Sequence, residues 1–179
     1  MKKFRNYLKR VYKLTFKLKK QEDFVWSLLK KLHDDAQWNS GVYEKEKSIE
    51  TVFSIEEDRG NLYNYLIFDG FFYCRTKIIE DYPVELTSEI FILATHFNNL
   101  FTYGVVKINV ERRCVEYVYK RDVLVPLLYE AEIYNQLIIH FNSSKDVYAS
   151  FKRLLVEQES PAIIIADLLA QKEKEEGGN

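Results

Sequence analysis

One strongly periodic segment, residues 82–101, limits what this 179-residue chain can become. Ile90, Leu93, Ala94, Phe97, Leu100 and Phe101 recur at offsets of 3, 4, 7, 10 and 11. That spacing is one stripe of a 3.6-residue helix. Thr87 is the expected N-cap, with Glu89 in the first turn, where a carboxylate is favourable. Leu86 and Phe91 occupy the hydrophobic-staple positions. Burying five large apolar side chains would contribute, as an upper bound, on the order of 10 kcal/mol before ordering costs. Strand-like segments flank the helix on both sides, so a helix buttressing a sheet is expected.

Upstream, residues 49–55 alternate Ile, Thr, Phe, Ile on one face. Residues 62–68 are apolar and aromatic on both faces, as in a central strand. Asp69-Gly70 then signals a hairpin, because glycine accepts the positive φ of a tight turn. In the third strand, residues 71–79, Phe72, Cys74, Thr76 and Ile78 share one face, and Phe71, Tyr73, Arg75 and Lys77 the other. After the helix, residues 104–110 place Val106, Ile108 and Val110 inward. Glu111-Arg112-Arg113 turns the chain into a fifth strand, 114–121.

Helices are expected at both ends. Residues 22–37 form the first helix of the body, stopped by Asn39-Ser40-Gly41, with a charged connector at 43–47. Leu127, Ala131, Tyr134, Ile138 and Phe141 step by 4, 3, 4 and 3. Asn142-Ser143-Ser144 should break that helix, and Val147, Phe151, Leu154 and Leu155 mark a shorter one. Ser160-Pro161 starts a last helix, 162–171, since proline suits the first helical position. Residues 173–179 read as a flexible tail. The expected class is α+β, with a mainly antiparallel five-stranded sheet in the order α-β-β-β-α-β-β-α(α).

Charge is distributed unevenly. Residues 1–20 hold Lys2, Lys3, Arg5, Lys9, Arg10, Lys13, Lys17, Lys19 and Lys20 and no acid. The other 17 Lys/Arg stand against all 27 Asp/Glu, leaving residues 21–179 at −10. The reading is therefore a basic arm, 1–20, on an acidic single domain, 21–172. Phe4, Leu8, Val11, Thr15 and Leu18 line one helical face of the arm. Such a helix suits an anionic membrane surface or nucleic acid phosphates, or packs on its own body or a partner's acidic face. Lys or Arg interrupts every apolar run in the first 30 residues, so no signal peptide is expected. The longest uncharged stretch, 90–106, holds His96, Asn98, Asn99 and Gly104 and does not suit a membrane span. Two cysteines, Cys74 and Cys114, match no metal or redox spacing. A cytoplasmic protein is expected.

No catalytic pattern emerges. His33, His96 and His140 are isolated on separate predicted helices, without zinc-site spacing. Asp34-Asp35 point in different directions on a helix. The glycines form no phosphate loop, and Ser40 and Ser54 lack a nucleophile-elbow context. The expectation is a non-enzymatic chain with no cofactor or metal. Phe71, Tyr73, Tyr117 and Tyr119, beside charged strand neighbours, suggest a partly aromatic second sheet face open to a partner or a second subunit.

Residues 64–169 resemble the YbjN family of bacterial sensory transduction regulators, which shares the fold of type III secretion chaperones. The resemblance lies in the paired aromatic strands of 65–79, in Tyr82-Pro83-Val84-Glu85-Leu86 leading into a helix, and in Phe97-Asn98-Asn99-Leu100. It continues through Tyr103-Gly104-Val105-Val106-Lys107-Ile108-Asn109, the hairpin partner Val115-Glu116-Tyr117-Val118-Tyr119, and Ser160-Pro161. Glu111-Arg112-Arg113 stands where the family often has an acidic, glycine-containing turn. The resemblance implies a small α+β module, often dimeric, that works by binding protein; it transfers no site residues. The expected function is protein binding, chaperone-like or regulatory, as a homodimer. The alternative is a peripheral membrane or nucleic-acid binder acting through the arm.

Overall fold

A computed structural model describes residues 2–57, 59–100, 103–129 and 131–177, and their side chains except at 2–4, 6, 9, 10 and 175–177. The fold is α+β. Helices α1 (Lys2–Lys13) and α2 (Leu18–Asp35) precede strands β1 (Ser40–Tyr43), β2 (Ser48–Glu56), β3 (Arg59–Phe68) and β4 (Phe71–Ile79). A 3-10 turn, Val84–Leu86, leads into α3 (Thr87–Leu100). Then follow β5 (Val105–Asn109), β6 (Cys114–Asp122), α4 (Leu124–Leu128), α5 (Ala131–Leu155) and α6 (Pro161–Gly177). The strands form one antiparallel sheet in the order β1-β2-β3-β4-β6-β5.

The sheet has six strands where five were expected. The added strand, β1, has four residues, only Ser40 of them even half-buried, so it carries no alternating pattern to read. It pairs with β2 from Ser40↔Thr51 to Tyr43↔Ser48. The expected β3–β4 hairpin is present, with Asp69 at φ 49° and Gly70 at φ 77°. Both residues carry the positive φ of a type I′ turn.

Contacts divide the chain into two compact units, 1–76 with 118–141, and 77–117 with 142–179. In the first, α2 and the start of α5 supply Val25, Trp26, Leu29, Ile133 and Leu137 to a core with Tyr63, Tyr65, Phe72 and Cys74. Helix α2 is pinned at its start. The Glu22 carboxylate accepts the Gly70 N–H at 2.9 Å and pairs with Lys47 at 3.3 Å. The Trp26 indole N–H donates to Glu44 at 2.8 Å.

In the second unit α3 buries Ile90, Leu93, Ala94 and Phe97, the expected stripe, while Phe101 lies outside the described residues. Phe97 stacks on Phe151 with ring centroids 6.2 Å apart. The Asn98 amide donates to the Val106 carbonyl and accepts its N–H, at 3.1 and 2.7 Å, so α3 and β5 are joined as two strands would be. The expected cap is different: the Thr87 hydroxyl donates to the Val84 carbonyl at 2.6 Å and closes the 3-10 turn. Phe91 is exposed, so the staple does not form.

The expected break at Asn142-Ser143-Ser144 is absent. Helix α5 runs through it for 25 residues. Its buried face is Ile133, Leu137, His140, Ser144, Val147, Phe151 and Leu154, a single phase from end to end. Ala131 and Tyr134, members of the expected stripe, are exposed. The true face contains His140 and Ser144, so a purely apolar period selected the wrong phase. Helix α6 begins at Pro161 as expected and extends to Gly177, beyond residue 171.

Candidate partner-binding face

Among the described residues, one side of the first unit's sheet carries exposed and half-buried side chains. Alternation sends Tyr63, Tyr65 and Ile67 of β3 into the core and Leu62, Asn64, Leu66 and Phe68 outward. In β4, Phe72 and Cys74 go inward, and Phe71, Tyr73 and Arg75 outward. Register then assembles rows across the strands. Val52 lies opposite Leu62, Glu50 opposite Asn64, and Asn64 opposite Arg75. Leu66 faces Tyr73, and Phe68 faces Phe71.

These rows give an apolar band at each end and a polar band between them. The Asn64 amide donates to Ser48 Oγ at 2.9 Å and to Glu50 at 3.2 Å, fixing the polar band. Phe71 and Tyr73 meet edge to face, with centroids 6.1 Å apart. Lys120 of β6 holds its ammonium 3.7 Å from the Phe71 ring centroid and 5.7 Å from that of Tyr73. This is cation–π geometry, attractive because the ring face is electron-rich. Val52, Leu62 and Phe68 keep 62, 50 and 65% of their surface exposed. They lie at the two ends of the face, Val52 opposite Leu62 and Phe68 opposite Phe71, so the face offers two separate apolar contacts on either side of the polar band.

The four aromatics expected on this face are divided. Phe71 and Tyr73 are there, half-buried. Tyr117 and Tyr119 of β6 are buried, at 0 and 3% exposure, on the opposite parity from Lys120. Tyr119 belongs to the first unit's core, and its phenol is pushed to a higher pKa by burial. In the second unit the Tyr117 hydroxyl donates to the Tyr103 carbonyl. Residues that sequence reasoning missed are Val52, Leu62, Phe68 and Lys120. Their period-two spacing in β2 and β3 was visible, but not which parity faced outward.

Of the basic arm, the side chains of Lys2, Lys3, Lys9 and Arg10, and of Phe4, lie outside the described residues. Arg5, Lys17, Lys19 and Lys20 are exposed and Lys13 is half-buried. Lys20 stands 4.0 Å from the Phe16 ring centroid and Lys13 5.0 Å from that of Phe24.

The remaining chemistry is mostly buried. His33 Nδ1 lies 2.9 Å from Ser40 Oγ, and that hydroxyl donates to the Trp38 carbonyl at 3.2 Å. The hydroxyl proton is committed to that carbonyl, so Nδ1 is the donor to Ser40. Burial lowers the His33 pKa to about 4, against a smaller opposing effect of Asp34. Cys74 and Cys114 are free thiols, both buried, and burial pushes the Cys74 thiol well up. Among the described residues no group of three His, Cys, Asp or Glu is placed to hold a metal. Nor is any helix there long and apolar enough to cross a membrane. The second unit has a cleft of about 580 Å³ lined by Phe97, Leu100, Ser150, Leu168 and Arg153. Its guanidinium is held by Glu159 at 2.5 Å and Asp167 at 2.6 Å.

No protein-family model matches the chain, and no curated protein matches it. Among solved structures the fold is similar to that described as "Crystal structure of YbjN, a putative transcription regulator from E. coli". The TM-score is 0.56 at 10% identity, covering 73% of this chain and 93% of that one. The fold is YbjN-like.

Proposed function

We propose that the protein is a non-enzymatic, cytoplasmic protein-binding module of regulatory or chaperone-like type, built on the type III secretion chaperone-like variant of this fold. The observation that carries the reading is the outward face of β2, β3 and β4. It exposes Val52 and Leu62 at one end and Phe68 at the other, with the Phe71–Tyr73–Lys120 cluster beside Phe68. A partner covering this face would gain about 25 cal/mol for each Å² of apolar surface removed from water. The regulatory part of the reading is supported by the description of the E. coli structure of like fold.

The test is affinity capture from a native lysate with the full chain, comparing wild type with Leu62→Glu/Phe68→Glu. Both residues are exposed, so the variant should fold. A defined protein captured stoichiometrically by wild type, and reduced at least tenfold by the variant, is expected. Equal capture by both rejects the face as the binding surface.

A second reading is favoured by the arm, where Arg5, Leu8 and Tyr12 form an exposed basic–apolar stripe. It makes the chain a peripheral membrane or nucleic-acid binder. Lys9→Glu/Lys13→Glu should then abolish vesicle or oligonucleotide binding and added salt should weaken it; insensitivity to both rejects it.

A further inference from the structure

The second unit carries an apolar groove of about 600 Å³ between α3 and the start of α6. Ile92, Pro161, Ala162, Ile165 and Leu169 line it. On α6 the residues Ala162, Ile165, Ala166 and Leu169 fall at offsets of 0, 3, 4 and 7, one face of the helix. The small alanines make that face shallow, so a second helix could approach closely. Ile92 and Leu169 are 49 and 42% exposed.

Three polar side chains share this lining, His96, Ser160 and Glu89, and Glu89 stands out among them. Its Oε2 is buried with no hydrogen-bond partner among the described residues. Glu89 as a whole is only half-buried and its other oxygen is not a buried, unpartnered atom, so a cationic donor from outside could pair with the carboxylate there. The groove therefore asks for a helix bearing large apolar side chains and a positive charge beside them.

This chain contains such a helix. On α1, Val11 and Leu14 just beyond its end are half-buried, and the helix contacts α4 within the first unit. Leu8 and Tyr12 face outward, 51 and 64% exposed. Arg5, exposed and three residues before Leu8, completes a stripe at offsets of 0, 3 and 7. Glu89 and Ile92 are likewise three apart on α3, so Arg5–Leu8 matches Glu89–Ile92 in both spacing and charge. The complementarity extends further, because residues 1–20 hold no acid while residues 21–179 carry −10.

We propose that the groove between α3 and α6 receives helix α1 of a second copy of the chain, with Arg5 of one copy pairing with Glu89 of the other. Two such contacts, exchanged reciprocally, close a two-fold dimer. The inference does not depend on the sheet face, which stays open to another partner.

The test is a charge-exchange cycle on the full chain, read by sedimentation equilibrium. Wild type should dimerise, at about twice 21.4 kDa. Arg5→Glu and Glu89→Arg should each raise the dimer Kd about tenfold or more. The double variant Arg5→Glu/Glu89→Arg should recover most of the loss. A complementation experiment adds a second criterion. Leu8→Asp/Tyr12→Asp and Ile92→Asp/Leu169→Asp change exposed residues, should each be monomeric, and should form a mixed dimer when combined. A monomeric wild type, a double variant no better than the singles, or failure of the mixture to associate overturns the proposal. Monomeric wild type that binds phosphatidylserine vesicles through Leu8 and Tyr12 overturns it in favour of a lipid surface. In every case capture through Leu62 and Phe68 is unchanged, so failure here is separable from failure of the sheet-face reading.

Discussion

His33 shows how a single side chain couples this fold to pH. Its ring is buried between Trp38 and Tyr65, with centroids 5.0 and 5.8 Å away, and its Nε2 has no hydrogen-bond partner among the described residues. Protonation would put a charge against two aromatic rings with one neutral acceptor, Ser40 Oγ, in reach. The folded pKa of about 4 lies below the unfolded value of 6.5, so between these values the unfolded chain binds the proton and the folded chain does not. Stability therefore rises with pH across this window, is complete above pH about 6.5 and is lost progressively as pH falls towards about 4. The full linkage is bounded at about 3 kcal/mol. Urea midpoints measured from pH 4 to 7 should show this slope, and His33→Phe should flatten it. A slope unchanged by the substitution would assign the effect to other groups.

Helix α5 separates what was legible in the chain from what was not. Where burial and apolarity coincide, as in Ile90–Leu93–Phe97 of α3 or Phe72–Cys74–Ile78 of β4, the period gave both element and face. Along α5 they part, because Gln136, His140 and Ser144 lie on the buried face while Tyr134 is exposed. Three consecutive poor helix formers, Asn142-Ser143-Ser144, then look like a stop although tertiary packing carries the helix across them. Strand β1 was invisible for the opposite reason, having almost nothing buried. The candidate face was half legible. Alternation fixed the residues of each strand that travel together, but the parity of β6 relative to β4 depends on pairing, and that parity removes Tyr117 and Tyr119. Continuity of α5 makes a paired prediction. Exposed Asn142→Ala should stabilise the protein by about 0.5 kcal/mol through helix propensity. Buried Ser144→Leu should cost about 1–3 kcal/mol by overpacking. Chemical denaturation measures both, and neutrality of both would mean that residues 142–144 act as a linker.

At the scale of the whole molecule, nearly cancelling charges conceal a division of labour. The net charge of −1 is a basic first 20 residues set against an acidic remainder, and the two proposed surfaces draw on different forces. The sheet face offers apolar rows with a polar band whose Asn64 is already hydrogen-bonded within the sheet, so its binding rests chiefly on water released from Val52, Leu62 and Phe68. The α1 contact adds attraction between a cationic helix and an anionic body, and exposed charges are screened by salt. Raising ionic strength from about 0.1 to about 1 M shortens the Debye length from about 10 to about 3 Å. Self-association should therefore weaken across this range, by about tenfold for loss of the long-range attraction around the Arg5–Glu89 pair. Capture of a partner on the sheet face should hold or strengthen, since an excluded salt such as sulfate favours apolar burial. Sedimentation and capture, run on the same preparation in sodium sulfate, would thus diverge. If both weaken in parallel, the partner engages the basic arm, and Leu62 and Phe68 are not its contacts. If neither weakens, the arm's charge plays no part in association, and the apolar stripe of Leu8 and Tyr12 is left as the attractive element.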